Sequence, residues 1–325
     1  MTILLITPGS NVRHSGNRCT ASQWADILTN QGHEVIVCYD IPGTLPSLHT
    51  DLLIAMHGVK CHGVIALYRA TVPAGKVLLA LTGTDIYPEP SKAAKESMAR
   101  ADGIIVLQEK ALEKIPPELR SRAAVVIQAV RKTSEHRKTA SEFFEVCLVG
   151  HLRDVKNPLL TAAAARLLPV ESRIRVRHAG GILEPKYESL VAGEQRENPR
   201  YRWLGELSSE AVSALITSSD LMVLTSRSEG GARVIGESIV QGTPVLSTRI
   251  DGVEGLIGEE YPGFFPDNDT AALAAMLSKC ETDPKFYRRL QEARSALADR
   301  FSPEAEARAL GGVIAKLFGK SHPET

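Results

Sequence analysis

The sequence from Thr225 to Gly252 reads TSRSEGGARVIGESIVQGTPVLSTRIDG. It follows an apolar run, 221–224, and because the polar residues after that run cannot prolong a buried strand, a strand ends there and a loop begins. From Ala232 the apolar residues recur with helical spacing, and Gly242 followed by a proline predicts the end of that helix. A short buried strand, 245–247, comes next.

Two glutamates lie at the start of this predicted helix, Glu229 just before it and Glu237 inside it. At about 1.5 Å rise per residue, their eight-residue separation corresponds to roughly 12 Å along the axis. This span is comparable to the distance from sugar to ribose in an extended sugar nucleotide. The free N–H groups of the helix N-terminus, and the absence of side chains at Gly230 and Gly231, would let backbone donors approach an anion closely. Two solvated glutamates on an ordinary αβ unit are the alternative.

Composition limits the class of protein. The 325 residues, 43% of them hydrophobic and 5% aromatic, are typical of a soluble chain with about two α/β domains of ~100–200 residues each. The formal net charge is zero, with a mild excess of positive charge in the first 140 residues. This balance argues against a nucleic-acid partner and permits an anionic acceptor.

The cysteines and the first residues bear on the compartment. Five scattered cysteines without C-x-x-C spacing suggest neither a disulfide framework nor a zinc ribbon, so we expect a reducing, cytoplasmic setting. The opening MTILLITPG is too short for a membrane span and has no charged residues before it, so it predicts a first strand. The sequence shows no basic amphipathic stretch with aromatic anchors, so we expect no stable membrane association.

The first predicted strand leads into a glycine-bearing loop and a helix from about Thr20 to Gln31. The glycines at 9 and 16 miss the G-x-G-x-x-G spacing, so we expect no nicotinamide cofactor. A loop at this place can cradle phosphate, whereas Asn17 and Arg18 in it can instead cap the helix as solvated side chains.

Two further predicted strands, 51–56 and 77–81, end in polar segments. Open α/β sheets bind ligands at the carboxyl ends of strands, which makes His57 and Asp85 candidate site residues. For His57, a satisfied or incidental histidine is the alternative. A zinc site in HGVKCH (57–62) would need a fourth ligand that has no candidate nearby, so no metal is expected. A turn stabilised by Asp85 through its own backbone is an equal alternative to ligand binding.

The glutamate pair occurs in a recognisable context. Glu-x(7)-Glu with GG after the first glutamate and G-x-P-V after the second resembles the donor motif of family 4 glycosyltransferases. The resemblance implies the GT-B fold, which has two Rossmann-like doubly wound parallel-sheet domains facing a cleft. It implies an acceptor-side domain at 1–138, a nucleotide-sugar domain at 139–302, and a terminal helix in 303–325 that braces the first domain.

A second motif follows the strand predicted at 146–150. The string HLRDVKN (151–157) after Gly150 resembles the family's G-R-L-x(3)-K-G loop, in which an arginine and a lysine neutralise the donor diphosphate. Lys156 falls on the lysine, whereas His151 stands where the arginine is usual. Arg153, two residues on, is the candidate for the missing guanidinium.

The candidate site residues fall into three groups, some implied by the resemblance and some by their position at the carboxyl ends of strands. His57 and Glu229 are the catalytic candidates. Donor-binding candidates are Gly150, His151, Arg153, Lys156, Glu229, Gly230, Gly231, Ala232 and Glu237. Acceptor-binding candidates are Arg13, Asn17, Arg18, Thr20, Lys60, Thr84 and Asp85.

Four strings point to a subgroup: GNRCTASQWA, LTGTDIY, VGHLRDVKNP and NPRYRWLGEL. They resemble the selenosugar synthases associated with selenoneine biosynthesis, which join selenophosphate to the anomeric carbon of a UDP-sugar such as UDP-N-acetylglucosamine or UDP-glucose. The resemblance implies these two small-molecule substrates, a selenosugar and UDP as products, and no cofactor. A transferase with a hydroxyl acceptor and a non-catalytic nucleotide-sugar sensor are the alternatives.

Overall fold

The chain divides into two compact units. The first unit is Met1–Ala129 together with Pro303–Thr325, and the second unit is Val130–Ser302. The structure, a computed structural model, describes residues 1–8, 16–45, 49–132 and 141–319. The domain boundary that the sequence predicts between 138 and 139 therefore lies outside the described residues.

The first unit is built on a parallel sheet. Within its described residues, six strands lie in the order β2-β1-β3-β4-β5-β6, and every neighbouring pair is parallel. The strands are β1 (Thr2–Ile6), β2 (Glu34–Cys38), β3 (Leu52–Met56), β4 (Lys76–Leu81), β5 (Gly103–Val106) and β6 (Ala123–Val125). The strand order reverses between β1 and β3, and such a switch point is where open α/β sheets bind ligands.

Helices cover both faces of this sheet, because the central strands are apolar on both sides. The helices are α1 (Gly16–Asn30), α2 (His62–Thr71), α3 (Lys92–Arg100) and, from the end of the chain, α11 (Pro303–Leu317). Trp24 of α1 and Leu310 of α11 share one buried cluster, whereas Tyr68 of α2 and Met98 of α3 belong to another. Short 3-10 helices occupy Glu109–Lys114 and Pro117–Arg122.

The second unit repeats the architecture with a different strand order, β12-β11-β10-β7-β8-β9, across its described residues. The strands are β7 (Phe144–Val149), β8 (Ile174–Ala179), β9 (Tyr201–Trp203), β10 (Leu221–Leu224), β11 (Val245–Thr248) and β12 (Phe264–Phe265). All neighbouring pairs are parallel. Here the order reverses between β7 and β10. The predicted pair of doubly wound parallel sheets is confirmed.

The helices of the second unit alternate with these strands. They are α4 (Leu160–Arg166), α5 (Lys186–Glu197), α6 (Ser209–Thr217), α7 (Arg233–Gln241), α8 (Asp251–Ile257), α9 (Thr270–Thr282) and α10 (Pro284–Ala296), with 3-10 helices at Asp154–Lys156 and Ala298–Phe301. Phe301 is buried against α7, where a Cβ on Gly236 would lie 2.7 Å from its ring. Because residue 236 is a glycine, the Phe301 ring can pack directly against the backbone of α7.

Several predicted boundaries differ from the structure. The described part of α1 already begins at Gly16, so Asn17, Arg18 and Thr20 lie in its first turns and not in a loop. The sequence predicts a helix over 109–115, and the structure has a 3-10 helix at Glu109–Lys114, in which the Gln108 side chain accepts from an amide of the first turn. Helix α8 was missed because its glycines lower helix propensity, and burial of this segment overrides that preference.

A buried carboxylate joins the last helix of the first unit to its first. Glu306 of α11 is 2% exposed, and its Oε1 accepts from Trp24 Nε1 at 2.8 Å. Its Oε2 accepts from the Gln23 side chain and, at 3.1 Å, from the backbone N–H of Ala129. Because each oxygen has a donor, the buried carboxylate is satisfied where the chain leaves the first unit.

We expect Glu306→Ala to lower the free energy of unfolding by about 3 kcal/mol, because it strands several buried donors at once. Denaturant unfolding followed by tryptophan fluorescence measures this change. Glu304→Ala, on the exposed side of the same helix, is the control and should change stability by less than about 0.5 kcal/mol. Equal effects of the two substitutions would contradict the role given to Glu306.

Candidate functional site

A recess opens at the switch point of the second unit, where the carboxyl ends of β7 and β10 meet. Parallel strands end their backbone ladder here, so the loops that follow carry free polar groups. We call it the β7–β10 recess. It is lined by Leu148, Val149, Gly150, Lys156, Pro158, His178, Leu224, Thr225 and Ser226. Two of the predicted donor residues, Gly150 and Lys156, are thus brought together by the fold.

A buried imidazole supports the loop after β7. His178 of β8 is 0% exposed, and its Nε2 lies 2.9 Å from the carbonyl oxygen of Gly150. Its Nδ1 lies 2.7 Å from the hydroxyl of Tyr201 in β9. Burial lowers the pKa of His178 to about 4, so the imidazole is neutral at pH 7.

The loops after β7 and β8 touch through their backbones. The Gly150 N–H donates to the Ala179 carbonyl at 2.9 Å, and a Cβ on Gly180 would lie 1.9 Å from the Gly150 oxygen. Any side chain at 180 would overlap that carbonyl. The Trp203 indole N–H donates to the Gly180 carbonyl at 2.8 Å and holds the second loop in turn.

His151 occupies the position where the family motif has an arginine. Its Nδ1 accepts from the Gly181 N–H at 3.1 Å, which leaves the ring hydrogen on Nε2. Burial lowers the pKa of His151, although Glu206 acts in the opposite direction. His151 is therefore a neutral donor and does not replace the guanidinium charge. Arg153 is half-buried, and its Nε is buried with no hydrogen-bond partner among the described residues.

Lys156 and Glu229 form a largely buried ion pair. The ammonium contacts Glu229 Oε1, and the two side chains are 19% and 13% exposed. The surrounding backbone is tied together, because Thr225 Oγ1 donates to the Lys156 carbonyl and the Arg227 N–H donates to Val155, each at 2.9 Å. The loop after β10 thus places Glu229 beside the ammonium group of Lys156, which lies in the loop after β7.

Helix α8 also packs against the backbone of Glu229. A Cβ on Gly252 would lie 1.9 Å from the Glu229 carbonyl oxygen and 3.1 Å from its Cβ. The helix therefore approaches the loop as closely as two backbones can, and only glycine fits at 252. The short helix that the sequence did not predict is what positions the predicted catalytic glutamate.

Helix α7 begins after the two glycines, as predicted, and ends at Gly242 in the left-handed conformation. Ala232 is its N-cap residue and has no side-chain acceptor, so the N-cap side chain does not cap the first turn. Glu237 of α7 pairs with Arg233 at 3.2 Å. Burial raises the pKa of Glu237, and the neighbouring Arg233 opposes that rise.

In the first unit, His57 follows β3 at the switch point. It is 5% exposed and has φ 109°, a backbone conformation that is rare and strained for a residue with a Cβ. Its Nδ1 accepts from the N–H groups of Val59 and Lys60 at 3.3 Å, so Nε2 carries the hydrogen and donates to Thr84 Oγ1 at 3.1 Å. Burial lowers its pKa, so His57 is a neutral donor and its basic nitrogen is engaged.

Asp85 serves the turn that contains it. Its carboxylate accepts from the N–H groups of Gly58 at 2.8 Å, Gly83 at 2.8 Å and Thr82 at 3.0 Å, and its side chain is 0% exposed. The structure thus realises the alternative of a backbone-stabilised turn, and both oxygens of this predicted acceptor residue are occupied within the protein.

The remaining acceptor candidates have different environments. Asn17 Nδ2 donates to Thr82 Oγ1 at 3.1 Å, which ties the start of α1 to the loop after β4. Thr20 is buried, donates to the Gly16 carbonyl at 2.9 Å and accepts from Gln128, so it is a packing residue and not a surface for a ligand.

Two basic candidates are accessible. The Arg18 guanidinium lies 4.4 Å from the centre of the Tyr39 ring, a cation–π distance, and Lys60 is exposed. Arg13 lies outside the described residues.

The three metal-capable side chains of HGVKCH diverge. Cys61 is buried and its thiol donates to the Met56 carbonyl, with its pKa raised to about 12 by burial. His62 contacts Ser97 Oγ at 3.1 Å. Among the described residues no cluster of three or more His, Cys, Asp or Glu side chains could hold a metal ion. In the same residues, no helix has the length and apolar character to cross a membrane.

Sequence reasoning missed His178, Tyr201, Trp203 and Gly252. An isolated histidine in an apolar strand carries no motif, and Tyr201 and Trp203 look like ordinary strand residues. The one available signal was the pair of glycines at 180–181 after β8, which is typical of a close backbone approach.

Comparison with known proteins is consistent with this geometry. The family model described as "Glycosyl transferases group 1" matches residues 130–296, just over half of the chain. A D-inositol 3-phosphate glycosyltransferase of Corynebacterium urealyticum is 29% identical over 171 residues, which are 50% of this chain and 40% of that protein. The chain thus spans less than half the length of that relative.

Solved glycosyltransferases share the whole fold. A Rickettsia africae glycosyltransferase gives a TM-score of 0.77 at 16% identity, covering 98% of this chain and 99% of that one. Anabaena Alr3699/HepE in complex with UDP-glucose gives 0.76 at 16% identity, covering 97% and 100%. These likenesses confirm the GT-B fold.

We expect Gly252→Ala to lower the free energy of unfolding by about 1–3 kcal/mol, because the new methyl group overlaps the Glu229 carbonyl. Chemical denaturation measures the change. Gly193→Ala, within α5 and with no neighbour closer than 3.9 Å, is the matched control and should stabilise by up to ~1 kcal/mol. A neutral Gly252→Ala would show that α8 does not press on the loop.

His178 makes stability depend on acid. Its folded pKa of about 4 lies below the ordinary value of 6.5, so the unfolded chain takes up the proton first. The contribution of the neutral His178 to the free energy of unfolding is about 3 kcal/mol. It is fully present above about pH 6.5 and is lost as the pH falls toward 4. Denaturant unfolding of His178→Gln at pH 7, 5.5 and 4.5 should therefore show a smaller acid loss than the unchanged protein. Parallel curves would contradict the buried neutral imidazole.

Proposed function

The chain belongs to the glycosyl transferases group 1 family, and on that basis we propose that it joins a selenophosphate-derived selenium nucleophile to the anomeric carbon of a UDP-sugar. UDP-N-acetylglucosamine and UDP-glucose are the proposed donors, and the products are a selenosugar and UDP. The proposal needs no metal or cofactor.

One observation carries the donor assignment: Lys156 and Glu229 meet at the switch point of the second unit. An ammonium beside a carboxylate suits a ligand that has both an anionic diphosphate and sugar hydroxyls. UDP as the nucleotide is supported by Anabaena HepE, which was solved with UDP-glucose.

We assign the donor groups as follows. Lys156 and Arg153 hold the diphosphate, and the buried Arg153 Nε without a partner supports a missing acceptor there. The amides at 230–232 bind the sugar-linked phosphate, beside a helix whose N-cap residue, Ala232, makes no side-chain cap hydrogen bond. Glu229 binds the sugar, and Glu237 binds the ribose hydroxyls.

The transfer then proceeds by displacement at the anomeric carbon. The selenium lone pair forms the carbon–selenium bond while the carbon–oxygen bond to the diphosphate breaks, and the bonding electrons leave on the diphosphate oxygen as UDP. Lys156 and Arg153 lower the free energy of this developing charge. Water subsequently cleaves the selenium–phosphorus bond, releasing phosphate and leaving the selenium on the sugar.

The acceptor side is assigned to the first unit. His57 donates through Nε2 and has no free basic nitrogen, which suits a nucleophile that is already deprotonated. Arg18 and Lys60 supply positive charge for an anionic acceptor. The selenium assignment itself rests on the resemblance of the strings at 16–25, 81–87, 149–158 and 198–207 to selenosugar synthases.

A hydroxyl acceptor is the second candidate, because the Corynebacterium relative is a D-inositol 3-phosphate glycosyltransferase. We propose a cytoplasmic location, because all five cysteines are free, as suits a reducing compartment.

Incubation of the purified protein with selenophosphate and either UDP-sugar should yield a selenium-containing sugar by mass spectrometry, with UDP released in equal amount. We expect Glu229→Ala to reduce this rate about a hundredfold or more, because it removes a group that contacts the reacting sugar. Glu197→Ala, an exposed glutamate of the same unit, is the control and should react normally.

Two results would overturn the proposal. Robust formation of an O-glycoside without any selenium product would favour the hydroxyl acceptor. Equal, negligible UDP release from the parent and Glu229→Ala, with intact UDP binding, would favour a non-catalytic sensor.

A further inference from the structure

His178 is a buried polar residue that the proposed reaction does not use. An imidazole in an apolar strand lowers stability unless both ring nitrogens find partners. Here both do, through the Gly150 carbonyl at 2.9 Å and the Tyr201 hydroxyl at 2.7 Å. One of these partners, Gly150, lines the β7–β10 recess.

The partners determine the tautomer. A carbonyl oxygen can only accept, so His178 Nε2 must carry the hydrogen and donate to Gly150. The neutral ring then has a bare Nδ1, which accepts from the Tyr201 O–H. The imidazole is thereby fixed in one tautomer and one orientation, with its single N–H aimed at the Gly150 oxygen.

The same carbonyl is confined by backbone. Gly180 packs against it so closely that a Cβ there would lie 1.9 Å from the oxygen. Gly150 is held on its amide side as well, because its N–H donates to Ala179 at 2.9 Å. The orientation of the Gly150 carbonyl is therefore restricted by its neighbours on both sides.

A fixed carbonyl fixes the amide on the same peptide. In a planar trans peptide the C=O and the N–H point in opposite directions, so the N–H of His151 points away from His178. Among the described residues nothing accepts from this N–H. The Lys156 side chain passes beside Gly150, since a Cβ on Gly150 would lie 3.9 Å from Lys156 Cδ. Lys156 and the His151 amide therefore both lie close to Gly150, so an anion held by Lys156 would be near this N–H.

We infer that His178 is a positioning residue of the donor site: by holding the Gly150 carbonyl, it aims the His151 amide at the diphosphate of the bound nucleotide. The inference rests on the proposed function, because it requires a diphosphate at Lys156. A hydrogen bond from an N–H to a phosphate oxygen is charge-assisted and stronger than a neutral one.

The test compares UDP with uridine, which lacks the phosphates. His178→Phe keeps the bulk of the ring and removes the N–H. We expect the Kd for UDP to rise about ten- to a hundredfold, because one charge-assisted hydrogen bond is lost, while the Kd for uridine stays within about twofold. Calorimetry measures UDP, and an NMR titration measures uridine.

Three further variants separate positioning from general destabilisation. His178→Gln places an amide N–H where Nε2 stands and should restore UDP binding to within a few-fold of the unchanged protein. Tyr201→Phe keeps the contact to Gly150 and should have a small effect. Tyr261→Phe removes a comparably buried hydroxyl that donates to the Val245 carbonyl, and should cost stability without changing UDP affinity.

The outcomes are distinct. Equal loss of UDP and uridine binding in His178→Phe, or no loss of either, would overturn the inference while the proposed function stands. Failure of the unchanged protein to bind UDP would overturn the proposed function and the inference together. If His178→Phe does not fold, the His151 amide resonance decides: a downfield shift on adding UDP to the unchanged protein supports the inference, and an unmoved resonance refutes it.

Discussion

The candidate site depends on backbone meeting backbone without an intervening side chain. Gly180 lies against the Gly150 carbonyl, and Gly252 lies against the Glu229 carbonyl. In each case a Cβ on the glycine would lie 1.9 Å from the carbonyl oxygen. Loops held in this way lose much of the conformational freedom that loops usually have. The polar groups they carry are therefore fixed before any ligand arrives, which is what a site for a flexible, charged nucleotide sugar requires.

The charges of the second unit are balanced locally. Lys156 pairs with Glu229 and Arg233 pairs with Glu237, so each of these two half-buried cations has its own carboxylate. An unpaired charge in these positions would be strongly destabilising. His151 departs from this scheme, because it is neutral and contributes a hydrogen-bond donor in place of a charge.

The two units share one architecture but differ in where their sheets switch direction. The first switches between β1 and β3, next to the strained His57, and the second between β7 and β10, next to Lys156. Each switch point leaves a gap between helices on opposite faces of the sheet. The same physical rule thus locates both sets of candidate residues, one for the acceptor and one for the donor.

The sequence by itself determined the alternation of apolar strands and helices, the glycine end of α7, and the placement of Glu229 and Lys156 after strands, because these features are read from neighbouring residues. Only the tertiary structure decided that Asp85 and Thr20 are occupied within the protein and that His178 supports Gly150. Their partners are set by strand order and not by local pattern: His178 lies 28 residues from Gly150, and Lys156 lies 73 from Glu229. Hydrophobic periodicity is local, whereas the satisfaction of a buried polar group depends on which segments the fold brings together.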